Sequence, residues 1–131
     1  MSAQPTPPPG AGLNILFVED HDDTALVVSK LLRACGHRVT LARTAADAQA
    51  AVDNDPQRQL NLLICDIGLP DQDGCDLLQD LLAKRPLPAI ALTAFAYPAD
   101  AKRCLAAGFR AHLPKPIDLE RLLAAIADAT R

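Results

Sequence analysis

A doubly wound α/β fold is what this sequence predicts, and three observations predict it. Five short apolar runs alternate with five helical patterns along the chain. Apart from one more polar run, the apolar character is close to unbroken, as it is in strands buried on both faces of a parallel sheet. The runs end on acidic, hydroxyl and lysine residues, and the crevice beyond the C-terminal strand ends is where such sheets carry function.

The 131 residues suit one compact domain. Residues 1–12 contain Pro5, Pro7, Pro8, Pro9, Gly10 and Gly12 with almost nothing to bury, and read as a Pro-rich flexible tail or linker. The domain proper is expected over 13–131. Its first run, Asn14–Val18, reads as a buried strand. Val27, Val28, Leu31, Leu32 and Cys35 then form an amphipathic helical stripe, closed by Gly36 at the C′ position. Arg38–Ala42 is the more polar run, as an edge strand would be. Ala45–Val52 is Ala-rich and helical by propensity.

Asn61–Cys65 is the third strand, and Leu77, Leu78, Leu81 and Leu82 mark the helix after it, with Pro86 and Pro88 as stop signals. Ala89–Leu92 is the fourth strand and Ala99–Ala107, ending at Gly108, the fourth helix. Ala111–Leu113 follows as the fifth strand. Leu119, Leu122, Leu123 and Ile126 then fall at i, i+3, i+4 and i+7 behind Asp118, a candidate N-cap. Right-handed crossovers leave few ways to connect such a series.

Composition narrows the function. Half the residues are hydrophobic while aromatics are 3% and Trp is absent, so the core must be aliphatic. A net charge of −3 argues against direct nucleic-acid binding, which needs a basic face. No apolar run approaches the length of a membrane segment and no leader pattern opens the chain, so the cytoplasm is the expected location. The four cysteines form no CxxC pair and are expected as reduced thiols serving as small hydrophobes.

The strand ends carry the chemistry. They yield Glu19 and Asp20, then Asp66, then Thr93, then Lys115. Each alone has an ordinary explanation as a helix cap, a turn residue or a solvated lysine. Three carboxylates converging on one crevice would repel unless a cation intervened. Hard oxygen ligands without His or Cys suit Mg²⁺, which can also neutralise phosphoryl oxygens. Lys115 adds a fixed positive charge and Thr93 a hydroxyl donor. These are the parts needed to move a phosphoryl group onto a carboxylate.

Four fragments in this order resemble the receiver domain of two-component response regulators. They are Ile15-Leu16-Phe17-Val18-Glu19-Asp20, Asp66-Ile67-Gly68-Leu69-Pro70-Asp71-Gln72-Asp73-Gly74, Ala91-Leu92-Thr93-Ala94 and Leu113-Pro114-Lys115-Pro116. The second and fourth lean toward the receivers of hybrid histidine kinases. The resemblance covers Asn14 to Ala129 and implies a flavodoxin-like (βα)5 fold with a five-stranded parallel sheet in the order 2-1-3-4-5.

It also implies roles. Asp66 would be the phosphoacceptor, taking the group from a histidine kinase or a His-containing phosphotransfer protein. Glu19, Asp20, Asp66 and the Gly68 backbone carbonyl would hold Mg²⁺, Glu19 through water. Lys115 would pair with the phosphoryl oxygens, Thr93 would swing toward them, and Ala94 would stay small for access. The Lys115–Pro116 bond resembles one that is cis in this family. Gly74 would end the acceptor loop in a positive-φ turn.

Two positions depart from the family pattern. Glu19 stands where many members carry Asp. His112 stands where a rotating Tyr or Phe switch residue is usual. Gly68 and Phe95 occupy positions that modulate phosphoryl lifetime in the family.

Phosphorelay signalling, with an unknown downstream protein reading the switched surface, is therefore the expected function. The domain would catalyse only its own phosphorylation and dephosphorylation. With the last helix reaching almost to Arg131, it is expected as a stand-alone regulator or a receiver cut from a hybrid kinase. Two other classes stand beside this: a small Mg-dependent aspartyl-nucleophile phosphatase, and a degenerate, phosphorylation-independent binding module. The first generally needs a second Asp where this chain has Gly68, and the second would not need the complete acceptor set.

Overall fold

The structure is a computed structural model that describes residues 12–94 and 98–130. The expected tail, except Gly12, lies outside the described residues, as does Phe95.

Five strands, β1 (Asn14–Val18), β2 (Arg38–Ala42), β3 (Leu62–Asp66), β4 (Ala89–Thr93) and β5 (Ala111–Pro114), alternate with α1 (Asp22–Ala34), α2 (Ala45–Asp53), α3 (Gly74–Lys84), α4 (Pro98–Ala107) and α5 (Leu119–Ala129). The strands form a parallel sheet in the order β2-β1-β3-β4-β5. This is the flavodoxin-like arrangement expected, with the strand order reversing between β1 and β3.

The alternation of side chains along a strand divides the interior into two cores. Ile15, Phe17, Ile64, Ile90 and Leu92 pack with Val28 and Leu32 of α1 and Leu122 and Ile126 of α5. Leu16, Val18, Leu63, Cys65 and Ala91 face the other way, against Ala48 of α2, Leu77 and Leu81 of α3 and Cys104 of α4. Two helices therefore cover one face and three the other. Fully burying one Leu or Phe stabilises by about 2 kcal/mol, so this paired aliphatic core accounts for much of the driving force.

Local signals set the helix ends. Thr44 caps α2 by accepting from the Asp47 N–H at 3.1 Å, Asp73 caps α3 through the Cys75 N–H at 2.8 Å, and Asp118 caps α5 through Glu120 and Arg121. Gly36 leaves α1 at φ +92°, the left-handed conformation expected of it.

Some expectations need correction. In the α1 stripe only Val28 and Leu32 are buried, joined by Ala25 and Ser29, whereas Val27, Leu31 and Cys35 are exposed. The apolar stripe is wider than the strip of helix that one sheet face covers. Cys65, Cys75 and Cys104 are buried free thiols as expected, and Cys35 is not. β3 and β4 end on Asp66 and Thr93 themselves, as the strand ends read from the sequence did. Gly74 is not among the positive-φ glycines. It is required by crowding: a Cβ there would meet the Asp66 carbonyl oxygen and the Ile67 Cα, each at 2.7 Å.

Candidate functional site

The sheet delivers its C-terminal ends to one level. Glu19 N–H donates to the Ala42 carbonyl at 2.9 Å, Ile67 N–H to Leu92 at 3.0 Å, and Lys115 N–H to Thr93 at 2.8 Å. Ladder bonds thus continue past each strand and aim the next side chains into a shared crevice. The Lys115–Pro116 bond is cis, as expected.

Glu19, Asp20 and Asp66 come together there. One ligand oxygen from each lies within 4.8 Å of the others, the only such group of three among the described residues. Lys115 Nζ donates to Asp66 Oδ2 at 3.2 Å and forms an ion pair with Glu19 Oε1. The Gly68 N–H donates to Asp66 Oδ1 at 3.1 Å, and Gly68 bridges back to Asp73 across the loop. Asp66 and Thr93 are buried, while Asp20 and Ala94 face solvent. Of the expected residues, Glu19, Asp20, Asp66, Gly68 and Lys115 are brought together, and Thr93 joins them through its backbone carbonyl. His112 lies three residues before Lys115, on β5 opposite Ala91. It is half-buried, and its Nε2 is sealed from solvent without a hydrogen-bond partner.

The electrostatics follow from this crowding. Glu19 is fully buried. Burial pushes its carboxyl up to about 7, the adjacent Asp66 adds to the rise, and Lys115 opposes it. Asp66 moves the other way. Burial opposes its ionisation, but Glu19, the Gly68 N–H and the Lys115 ammonium together hold it below the usual carboxylate range. Asp66 is therefore the ionised member of the pair and Glu19 the reluctant one.

The residues fit a divalent magnesium ion. The donors are all hard oxygens, with neither His nor thiolate in the group. With Oε1 taken by the Lys115 ammonium, Glu19 Oε2 is sealed from solvent without a hydrogen-bond partner, a costly state that a nearby cation or its water relieves. Glu19, Asp20, Asp66 and the Gly68 carbonyl are the groups that would hold it.

Residues outside the expected set also build the site. The Asp71 carboxylate accepts from the Ala45 N–H through Oδ1 at 2.9 Å and from the Ala46 N–H through Oδ2 at 3.0 Å. Arg43 donates to the Asp20 carbonyl at 3.0 Å and is ion-paired with Asp22. Arg103 on α4 donates to Asp73 Oδ2 at 2.9 Å. Asp71 and Asp73 lay within the quoted acceptor segment without an assigned role. Nothing in the sequence marked Arg43 or Arg103, whose contacts are made across loops.

Alongside the crevice runs a groove of about 290 Å³, lined by Thr24, Val27, Leu31, Ile117, Leu119 and, at its end, Lys115. The exposed α1 residues that left the core form one of its walls.

Comparison with known proteins places this geometry. The family model described as response regulator receiver domain matches residues 15–127. An uncharacterized 14.6 kDa protein from the sodA1 3′ region of Leptolyngbya boryana is 35% identical over 82% of each chain. The transcriptional regulatory protein ZraR of Salmonella typhimurium is 33% identical over 84% of this chain and 24% of its own. The signal transduction histidine-protein kinase BarA of Shigella flexneri is 32% identical over 84% of this chain and 12% of its own. The chain thus spans about a quarter of the regulator and an eighth of the kinase. Among solved structures, a CheY-like receiver domain protein from Methanospirillum hungatei superposes with a TM-score of 0.81 at 30% identity, covering 90% of this chain and 93% of that one. The Saccharomyces cerevisiae Ssk1 receiver, solved in complex with the histidine phosphotransfer protein Ypd1, shares the fold at 24% identity and a TM-score of 0.80, over 92% of this chain and 90% of the matched one.

Proposed function

The chain belongs to the response regulator receiver domain family, and from that premise we propose that Asp66 accepts a phosphoryl group from a phosphohistidine, with Mg²⁺ as the cofactor. The observation that carries the proposal is the pairing of an ionised Asp66 with Lys115 at 3.2 Å, in a crevice where Glu19 and Asp20 bring two more carboxylates.

The transfer breaks the donor's P–N bond and forms a P–O bond to Asp66, and the imidazole leaves after taking up a proton. Lys115 holds the acceptor oxygen in place and offsets phosphoryl charge. The Gly68 N–H fixes the other oxygen, so the carboxylate is oriented before the donor arrives. Magnesium, when bound, neutralises phosphoryl oxygens beside the three carboxylates. Thr93, at the end of β4, answers the added negative charge with its hydroxyl. His112 and the surface of α4, β5 and α5 follow, biasing what an unknown downstream protein meets. Beyond its own charging and discharge we propose no turnover of free substrate.

The donor is a histidine kinase or a His-containing phosphotransfer protein, in the cytoplasm where ATP charges such donors. The apolar groove supports a protein donor, since Val27 and Leu31 line it together with Lys115, the residue bonded to Asp66. No helix among the described residues is long and apolar enough to cross a membrane.

The test is chemical. Incubation with Mg²⁺ and acetyl phosphate, read by intact mass, is expected to give one base-labile phosphoryl adduct on the wild type and none on Asp66→Ala. An adduct that survives in the variant removes Asp66 from the role.

A further inference from the structure

The turn between β2 and α2 supplies none of the groups proposed to hold magnesium or receive the phosphoryl group. It is nevertheless bonded on both sides to the loops that do. From Arg43, the guanidinium donates to the Asp20 carbonyl at 3.0 Å and ion-pairs with Asp22. Two residues later, the Ala45 and Ala46 N–H groups are taken one by each oxygen of Asp71, at 2.9 and 3.0 Å. Asp20 sits on the β1–α1 turn, and Asp71 lies in the acceptor loop that begins at Asp66 and Gly68.

We infer that Arg43 and Asp71 are positioning residues for the divalent cation, with the β2–α2 turn as a brace that sets the separation of its two carboxylate-bearing loops. The inference rests on the magnesium reading above. Its physical basis is the order of the sheet. β1 lies between β2 and β3, so β1 and β3 are neighbours along their length, but just beyond their ends the backbone bonds of Glu19 and Ile67 run outward to Ala42 and Leu92 and not to each other. Asp20 is exposed, one residue beyond the buried Glu19. Arg43 supplies a charge-assisted bond to that turn's backbone, leaving the Asp20 carboxylate available. Asp71 uses both carboxylate oxygens on consecutive helix N–H groups, a two-point attachment that fixes direction as well as distance. Thr44 already caps α2 through the Asp47 N–H. Asp71 therefore takes up different N–H groups of the same helix end, and does so from the acceptor loop.

A brace of this kind acts on affinity before rate. Removing it lets the carboxylates spread, so the cation must reassemble its ligands, whereas the reacting groups Asp66 and Lys115 stay bonded to each other. Partners behind a metal's own ligands commonly change its affinity by 10- to 100-fold. These are solvent-facing contacts, which lose strength to screening, so about three- to tenfold is expected.

The experiment measures Mg²⁺ binding directly, by calorimetric titration of the full chain, for the wild type, Arg43→Ala, Arg43→Lys, Asp71→Ala and Thr44→Ala. Thermal melts in EDTA run alongside. Arg43→Ala and Asp71→Ala are each expected to weaken Mg²⁺ binding about three- to tenfold, and Arg43→Lys to recover part of it. Thr44→Ala should lower the melting temperature while leaving Mg²⁺ affinity within twofold. Arg43 is exposed and outside both cores, so its variants decide the matter even if Asp71→Ala does not fold. Unchanged affinity in Arg43→Ala overturns the brace, and so does an equal loss in Thr44→Ala, which would trace the effect to helix stability alone. Absence of Mg²⁺ binding by the wild type overturns instead the magnesium reading beneath it.

Discussion

Lys115 and Asp66 meet at 3.2 Å between Nζ and Oδ2, at the ends of strands that are not neighbours in the sheet: β4 lies between β3 and β5. The contact spans a full strand, and the backbone bond from Lys115 N–H to the Thr93 carbonyl at 2.8 Å carries it across. The Asp66 carboxylate, the Lys115 ammonium and the backbone at Thr93 are thereby linked in series.

Removing the ammonium should be visible in both titration and rate. Lys115 is one of the groups holding Asp66 below the usual carboxylate range. Lys115→Gln is expected to raise the Asp66 pKa, followed by carboxyl ¹³C chemical shifts. It should also slow labelling by acetyl phosphate about tenfold or more, a loss typical of one preorganised electrostatic group. An Asp66 titration unmoved by the substitution would contradict the site as described.

Glu19 gives a pH dependence of definite sign. Its carboxyl rises from 4.5 to about 7 on folding, so the folded state holds a proton the unfolded chain has released. Stability from this group is full below about pH 4.5 and is lost as pH climbs through about 7. The lowered Asp66 pulls the opposite way at more acid pH. In EDTA, urea melts should therefore show a decline between pH 5 and 7.5 that Glu19→Gln abolishes. With excess Mg²⁺ the decline should shrink, because the ion favours the ionised form. A wild-type profile that rises over this interval in EDTA would reverse the assignment.

How far the sequence foretold these relations depends on their range. The strands, the crevice and its charged residues were legible because apolar runs and helical stripes are local, and because each site residue follows directly on a run; the strand order came only through the resemblance of four fragments to receiver domains. What was not legible was contact between loops. Arg43 and Arg103 read as ordinary surface cations, and only folding brings them to Asp20 and Asp73. The α1 stripe failed differently: periodicity shows that Val27 and Leu31 are apolar, but not that they stay exposed along a groove. Gly74 was marked correctly as a special glycine, and for the wrong reason, since crowding by another segment leaves no trace in local text.

A buried ion pair at the opposite end of the sheet should govern stability and little else. Arg85 donates to Asp55 Oδ2 at 2.7 Å and to the Leu60 carbonyl at 2.8 Å, and Asp55 also accepts from the Gln59 and Leu60 N–H groups. Side-chain exposure of the two partners is 9% and 12%. Asp55→Asn would leave a buried guanidinium short of its counter-charge, at a cost of about 3 kcal/mol. Differential scanning calorimetry should show a melting temperature lower by roughly 10 °C. Labelling of Asp66 in the folded variant should stay within twofold of the wild type. A change in labelling larger than the stability loss explains would show that this end is coupled to the crevice.

Two glycines that follow Asp66, Gly68 in the loop and Gly74 at the start of α3, should respond unequally to one added methyl group. At Gly74 the new Cβ would fall 2.7 Å from both the Asp66 carbonyl oxygen and the Ile67 Cα, and 3.3 Å from the Asp66 carbonyl carbon. All three are backbone atoms, and the Gly74 N–H is bonded to the Ile67 carbonyl at 2.8 Å, so neither segment can turn aside without breaking that bond. Gly74→Ala must push the acceptor strand's end outward, at a cost of about 1–3 kcal/mol for overpacking. At Gly68 the nearest atom to a new Cβ is Asp66 Oδ1 at 3.9 Å, an ordinary contact. Gly68→Ala should therefore unfold in urea within about 0.5 kcal/mol of the wild type. Gly74→Ala should be less stable and also label more slowly, because the displaced atoms belong to Asp66 itself. Equal stability of the two variants would mean that the loop does not approach α3 as closely as the Gly74 contacts require.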